Sequence, residues 1–219
     1  ASPYFIGHMT SAIPFFMVHL KAITAALNQN VIKLETSKVF SLLEKQVLAK
    51  IHKLIFLQES GFYNLHVQNT GTSLGAFTTG GTTANLMALW VARNKLFPPK
   101  DDFHSIEHDG LIKGMATHNV KKVVVLVSKR GHFSLRKACG ILGLGNSAIL
   151  PIEVNINRSI DLDLLNKTIN TLQEDKETKI AAIVGIAGAT ETGIIDPLDK
   201  LADICQKHSI HFHVDAAWG

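Results

Sequence analysis

Cysteine is scarce in this chain. Only Cys139 and Cys205 occur, each inside a helical pattern, which speaks against a disulfide-stapled secreted domain and fits a reducing cytoplasm. Long apolar runs are also missing. The early hydrophobic stretch IPFFMVHLKAI is interrupted by His19 and Lys21, so it falls short of the roughly 20 apolar residues of a membrane span, and no basic leader with an apolar core marks export. Charge of one sign never accumulates. The net charge is +4, the isoelectric point about 9.0, and the densest cationic run is Lys121–Lys122. Without a basic stripe or an aromatic stacking platform, a nucleic-acid surface is not expected. The small cationic excess favours an anionic substrate. Internal repeats and low-complexity tracts are absent, as are a Walker A lysine and a GxGxxG turn, and the missing GxGxxG argues against a nicotinamide dehydrogenase.

What is present is a chain of 219 residues, 46% hydrophobic, enough for one sizeable α/β core. The first third reads helical. Apolar residues recur at spacings of three and four from Ser11 to about Asn28, and again from Thr36 to about Leu57, with Thr36 or Ser37 as the cap of the second helix. Both helices are apolar over a wide face, the pattern of helices packed between two bodies. Residues 1–60 are therefore expected to form an N-terminal helical segment and residues 61–219 the first part of a larger domain.

Beyond Gly61 strands and helices alternate. GAFTT reads as a short strand, and VVVLVS, AILPIEV, KIAAIVGIAG and IHFHVDAA as further strands. Between them lie helices ending at Pro98-Pro99, finishing in the glycines of GILGLG, capped by Asp161, and opened by Pro197. Apolar strands separated by helices predict an α/β fold: a mostly parallel sheet with helices on both faces. PPKDDFHSIEHDG, polar and proline-rich, reads as the flexible connection. In such sheets ligands bind beyond the carboxyl ends of the strands.

Four such ends carry residues able to do chemistry. FTTGGTTAN runs from a strand into a helix through Gly80 and Gly81, where a phosphate can approach free N–H groups at the positive end of the helix dipole and where Thr82 and Thr83 add hydroxyls; taken alone it is an ordinary capped turn. His132 follows VVVLVSKRG and is placed to stack on a flat ring or to move a proton. Thr190 lies in AGATETG after the next strand. Asp215 stands among small residues at the end of HFHVDAA, where an acid is costly unless a cation answers it. His211 and His213 share one strand face, but no third metal ligand lies nearby in sequence. A flat, phosphorylated, cationic heterocycle uses all four ends. Pyridoxal 5'-phosphate meets that description: phosphate on the helix N-terminus, ring under His132, ring nitrogen paired with Asp215, and Ala217 small enough to lie beneath the ring.

Several motifs in one order carry a specific likeness: PYFIGHMTS, LNQN, LEKQVLAKIHKLI, FTTGGTTANLMAL, GHFSLRKACGILGLG, GIAGATETGIIDP and HFHVDAAWG. The chain resembles the group II pyridoxal-phosphate-dependent amino acid decarboxylases, and within them the glutamate, aspartate and diaminobutyrate branch. The resemblance implies the type I fold of pyridoxal-phosphate enzymes, with N-terminal helices leading into the first part of the large domain. It implies that Gly81 and Thr82 hold the phosphate, that His132 and Ala217 face the two sides of the ring, that Asp215 pairs with the ring nitrogen, and that Thr190 contacts cofactor or substrate. His8, Thr10, Ser11 and Asn30 match segments that line the substrate pocket. It further implies decarboxylation of an acidic amino acid, aspartate ahead of glutamate, in a cytoplasmic homodimer. Two departures stand out. The family's opening His-Pro-Arg reads Ser2-Pro3-Tyr4 here, and its Schiff-base lysine, in a Ser-x-x-His-Lys motif beyond the Asp, has no counterpart. The expectation is a truncated part of the enzyme, inactive alone. The alternatives are a non-catalytic fragment or dimerisation partner, or another enzyme of the same fold, an aminotransferase or lyase.

Overall fold

The computed structural model describes residues 12–219, and the chain divides into two compact units, the first ending at Phe77 and the second spanning Thr78–Gly219. The described part of the first unit is helical: α1 Phe16–Leu27, α2 Leu34–Ser37, α3 Val39–Phe56 and α4 Ser60–His66. Helix α1 stops where Asn28 turns left-handed (φ 42°) and α3 where Leu57 does (φ 50°). Thr36 and Ser37 do not cap α3. They lie inside the short α2, and the N-cap position of α3 is Lys38, which makes no side-chain cap bond. Helix α4 packs back on α3, with the Tyr63 hydroxyl 2.9 Å from His52 Nδ1 and Tyr63 buried. The first unit runs to Phe77 and so includes α4. Phe16, Ile23, Leu54 and Ile55 leave their apolar side chains exposed.

The second unit comprises α5 Gly81–Lys95, α6 Ile106–Asp109, α7 Leu111–Thr117, β1 Lys122–Ser128, α8 Ser134–Ile141, β2 Ile149–Ile152, α9 Leu162–Glu174, β3 Thr178–Ile186, α10 Leu198–His208 and β4 His211–Asp215. The strands form one sheet in the order β2-β1-β3-β4, parallel throughout. Val125 lies opposite Ile149, Leu126 opposite Ile183, and Ile186 opposite Asp215. Alternation along β1 sorts the core into two layers. Val123, Val125 and Val127 pack with Leu89 and Ala92 of α5 and with Leu135, Ala138 and Cys139 of α8. Val124 and Leu126 pack with Leu165 and Ile169 of α9 and with Leu201 and Cys205 of α10. Helices therefore cover both faces, as continuous apolar strands require.

Both cysteines are free and buried, and burial pushes their thiols up to about 11 for Cys139 and about 12 for Cys205. Asp161 caps α9 as expected, one carboxylate oxygen accepting from the N–H groups of Asp163 and Leu164 at 3.0 Å each.

Two sequence expectations fail. Residues 75–79 form no strand; the Thr78 hydroxyl instead bonds the Gly80 carbonyl at 3.1 Å, local turn chemistry that competes with strand pairing. The segment from Pro98 to Gly110 is anchored. Phe103 and Ile106 are buried in the core, Lys100 and Phe103 form an isolated bridge, and Ser105 caps α6 through the His108 N–H. Two apolar residues inside a polar run are enough to pin it.

Candidate active site

The sheet reverses its building direction at β1: β2 is added on one side, β3 and then β4 on the other. The chains leaving β1 and β3 therefore diverge at their carboxyl ends and open a crevice. Asp215 closes β4 beside that edge, its carbonyl accepting from Ala187 N at 2.9 Å, just past the end of β3. Its side chain is 9% exposed. Oδ2 accepts from Asn85 Nδ2 at 2.9 Å and Oδ1 from the Ala217 N–H at 3.2 Å. Among the described residues it makes no ion pair with Lys or Arg. Each oxygen keeps a lone pair for another donor.

The N-terminus of α5 meets the same place. Gly80, at φ 144°, turns the chain into the helix, a conformation that other residues rarely adopt. The Gly80 carbonyl accepts from Thr83 and Ala84, which leaves the Gly81 and Thr82 N–H groups at the helix entry without intrahelical acceptors. Gly81 sits so close to the end of β4 that a Cβ built there would lie 2.9 Å from Ala217 Cβ.

His132, half-buried after β1, reaches the carboxylate indirectly. Its Nδ1 lies 2.8 Å from Ser134 Oγ, Ser134 Oγ lies 3.0 Å from Asn85 Nδ2, and Asn85 holds Asp215. On its other side, Asn85 Oδ1 is 2.7 Å from His213 Nε2. Burial lowers the His213 pKa; Asp215 partly offsets this and His211 adds to it. His211 is lowered by burial and by Lys95. With Nε2 of His213 committed to Asn85, the HxH pair is built into the sheet edge.

The structure thus brings together Gly81, His132, Asp215 and Ala217. Thr82 and Thr190 are exposed and take no part in the hydrogen-bonded network. Asn30 lies in the first unit, where its Oδ1 accepts from the Ile32 N–H at 3.0 Å. His8, Thr10 and Ser11 lie outside the described residues. Asn85 and Ser134, both buried, were missed from sequence. A signal existed: Asn85 occupies the buried stripe of α5 with Leu89 and Ala92, at spacings of four and three, where a polar residue needs partners. Ser134 stands likewise four before Ala138 on the buried face of α8.

This donor set fits a phosphorylated pyridine. Free N–H groups at a 15-residue helix suit a phosphate. A buried carboxylate that pairs with no Lys or Arg among the described residues suits a protonated ring nitrogen, and a methyl group beside Gly81 leaves a small-residue floor between them.

The comparisons agree in kind. The pyridoxal-dependent decarboxylase conserved domain matches residues 1–219. Aspartate 1-decarboxylase of Aliivibrio fischeri is 48% identical over 219 residues, covering 100% of this chain and 40% of that protein. L-2,4-diaminobutyrate decarboxylase of Acinetobacter baumannii is 32% identical, covering 99% of this chain and 40% of its own length. Among solved structures, the glutamate decarboxylase domain of a diaminobutyrate-pyruvate transaminase and L-2,4-diaminobutyrate decarboxylase from Vibrio parahaemolyticus superposes with a TM-score of 0.80 at 30% identity, over 99% of this chain and 43% of that one. Mouse CSAD does so at 0.80 and 27%, over 99% and 40%. The chain spans about two fifths of the length of the curated relatives it matches. A match over every residue, on a fold these structures share, places the chain in the pyridoxal-dependent decarboxylase family.

Proposed function

We propose that the complete protein removes the α-carboxylate of an acidic amino acid, aspartate ahead of glutamate, and that this chain supplies the ring-nitrogen and phosphate side of its pyridoxal-phosphate site. The observation that carries the reading is Asp215: a buried carboxylate at a strand end, held by an amide and a backbone N–H, and paired with no Lys or Arg among the described residues. The 48% identity to an aspartate 1-decarboxylase supports the substrate.

In this reading the Gly81 and Thr82 N–H groups bind the phosphate, with the α5 dipole adding to the attraction. Asp215 holds a proton at the ring nitrogen, and His132 and Ala217 face the two sides of the ring. When bound, the cofactor supplies an electron sink for the pair released as carbon dioxide departs. Thr190, exposed beyond β3, is assigned to contact with cofactor or substrate. His8, Thr10, Ser11 and Asn30 are assigned to the substrate side on resemblance alone. The exposed apolar residues of α1 and α3 are assigned to contact with a second subunit in a homodimer. Two buried free thiols fit a cytoplasmic setting, and no helix among the described residues is long and apolar enough to cross a membrane.

The test is product analysis. The complete protein, incubated with pyridoxal phosphate and aspartate, is expected to yield β-alanine and carbon dioxide, with slower conversion of glutamate. Oxaloacetate as the product in the presence of a keto acid would replace decarboxylation by amino transfer. No turnover of either substrate by a cofactor-loaded protein would sink the reading.

A further inference from the structure

The hydrogen bonds around Asn85 have one allowed direction each, because one end of the network is a carboxylate. Carboxylate oxygens accept and do not donate, so the group that Asn85 presents to Asp215 Oδ2 at 2.9 Å is its NH₂. That choice turns the carboxamide oxygen toward His213 and requires the proton of His213 to sit on Nε2, 2.7 Å away. The second hydrogen of the Asn85 NH₂ goes to Ser134 Oγ at 3.0 Å. The Ser134 hydroxyl, with two lone pairs and one proton, can meet His132 Nδ1 at 2.8 Å in either direction. The Ser134 backbone N–H points at the same nitrogen from 3.3 Å. A backbone N–H only donates, so His132 Nδ1 is bare, the Ser134 hydroxyl donates to it as well, and the ring proton sits on Nε2.

We propose that Asn85 is the positioning residue of this site. It passes the direction fixed by Asp215 to His213, and by donating to Ser134 Oγ it leaves the Ser134 proton for His132 Nδ1 and so supports the tautomer whose Nε2–H is a donor. Asn85 is 3% exposed and Ser134 fully buried, so water does not compete for these bonds. Among the described residues His132 Nε2 has no partner and remains free to meet an anionic oxygen of the bound ligand. His132 then acts as a hydrogen-bond donor rather than as a base at Nε2. Only this last step rests on the pyridoxal reading; the directions of the bonds stand without it.

The test is nitrogen NMR of the complete protein labelled with ¹⁵N-histidine and free of cofactor, with His132 assigned by its loss in His132→Gln. The wild type is expected to show His132 protonated at Nε2, and Nδ1 displaced from the position of an unbonded ring nitrogen by an accepted hydrogen bond. Asn85→Asp keeps the volume of the side chain but replaces its donor by an acceptor. The Ser134 hydroxyl then turns away from His132, and the Nε2–H preference of that ring is expected to fall about tenfold, the worth of one hydrogen bond. A purely packing role predicts no change at His132, because the side chain keeps its shape and the second carboxyl it sets beside Asp215 shares a proton with it rather than adding a buried charge. Ser134→Ala cuts only the last link. It is expected to return the His132 Nδ1 resonance toward the unbonded position while leaving His213 unchanged, and it carries the test if Asn85→Asp does not fold. A wild-type His132 protonated at Nδ1, or spectra unmoved by the substitutions, would overturn the proposal. The expected spectra from a protein with no decarboxylase activity would support the network and sink the functional reading alone.

Discussion

A methyl group at position 81 has no room beside Ala217, since the built Cβ lies 2.9 Å from the Ala217 Cβ. Either the helix entry or the end of β4 must give. Gly81→Ala is therefore expected to cost about 1–3 kcal/mol of local fit and to weaken pyridoxal phosphate binding by about tenfold or more. Adding Ala217→Gly removes the clashing methyl and is expected to restore most of the affinity, read by fluorescence titration of both variants. A double variant as weak as the single one would mean that Gly81 serves the backbone alone. The two positions lie 136 apart in sequence, and nothing in either motif announces their contact. Asp215 and His132, by contrast, were legible as residues out of character at strand ends. Asn85 and Ser134 were not singled out, because polar side chains near a helix start read as caps until tertiary packing shows them buried.

At the scale of elements, local rules held where a single interaction decides the outcome. Asp161 precedes a periodic helix and does cap it, with two N–H groups on one oxygen. Asp161→Ala is expected to destabilise the protein by about 1 kcal/mol, seen as a lower urea midpoint at unchanged slope. Asp161→Asn should recover most of the loss, because its side-chain oxygen accepts the same bonds. The buried strands were legible because apolar residues stacked without alternation leave few alternatives to a parallel sheet covered on both faces. Residues 75–79 were misread for a matching reason. GAFTT has strand composition, but a strand exists only if a neighbour takes its backbone groups, and the Thr78 hydroxyl supplies a turn instead. The segment around Phe103 shows the reverse, a polar composition overruled by the buried side chains of Phe103 and Ile106.

At the scale of the whole molecule, one buried acid ties the sheet to two helices. Asp196 accepts from the Ile160 N–H at 2.8 Å and the Ile186 N–H at 2.9 Å, while its own N–H bonds the Ile186 carbonyl at 2.8 Å. It thereby joins the approach to α9, the end of β3 and the approach to α10, next to the strand end that bears Thr190. Burial raises its pKa, and the two N–H donors offset only part of the effect. A carboxyl that titrates higher in the folded than in the unfolded chain binds its proton more readily when folded. Its stabilisation is fully present below the unfolded value of about 3.9 and is lost as pH rises through the folded value. Three other acids run the other way: Asp102 is lowered by the hydrogen bond from Lys113, Asp109 by the His104 N–H and Asp175 by the hydrogen bond from Thr178. Their contribution is present above the unfolded value and lost on acidification. The pH dependence of the wild type mixes both signs, whereas its difference from Asp196→Asn isolates the buried group. Urea unfolding of the two proteins across the acidic range is expected to show the wild type gaining on the variant as pH falls from neutral. The gain should level off below the unfolded value. A difference independent of pH would mean that Asp196 has the same proton affinity in both states, and that its two backbone bonds offset the whole cost of its burial.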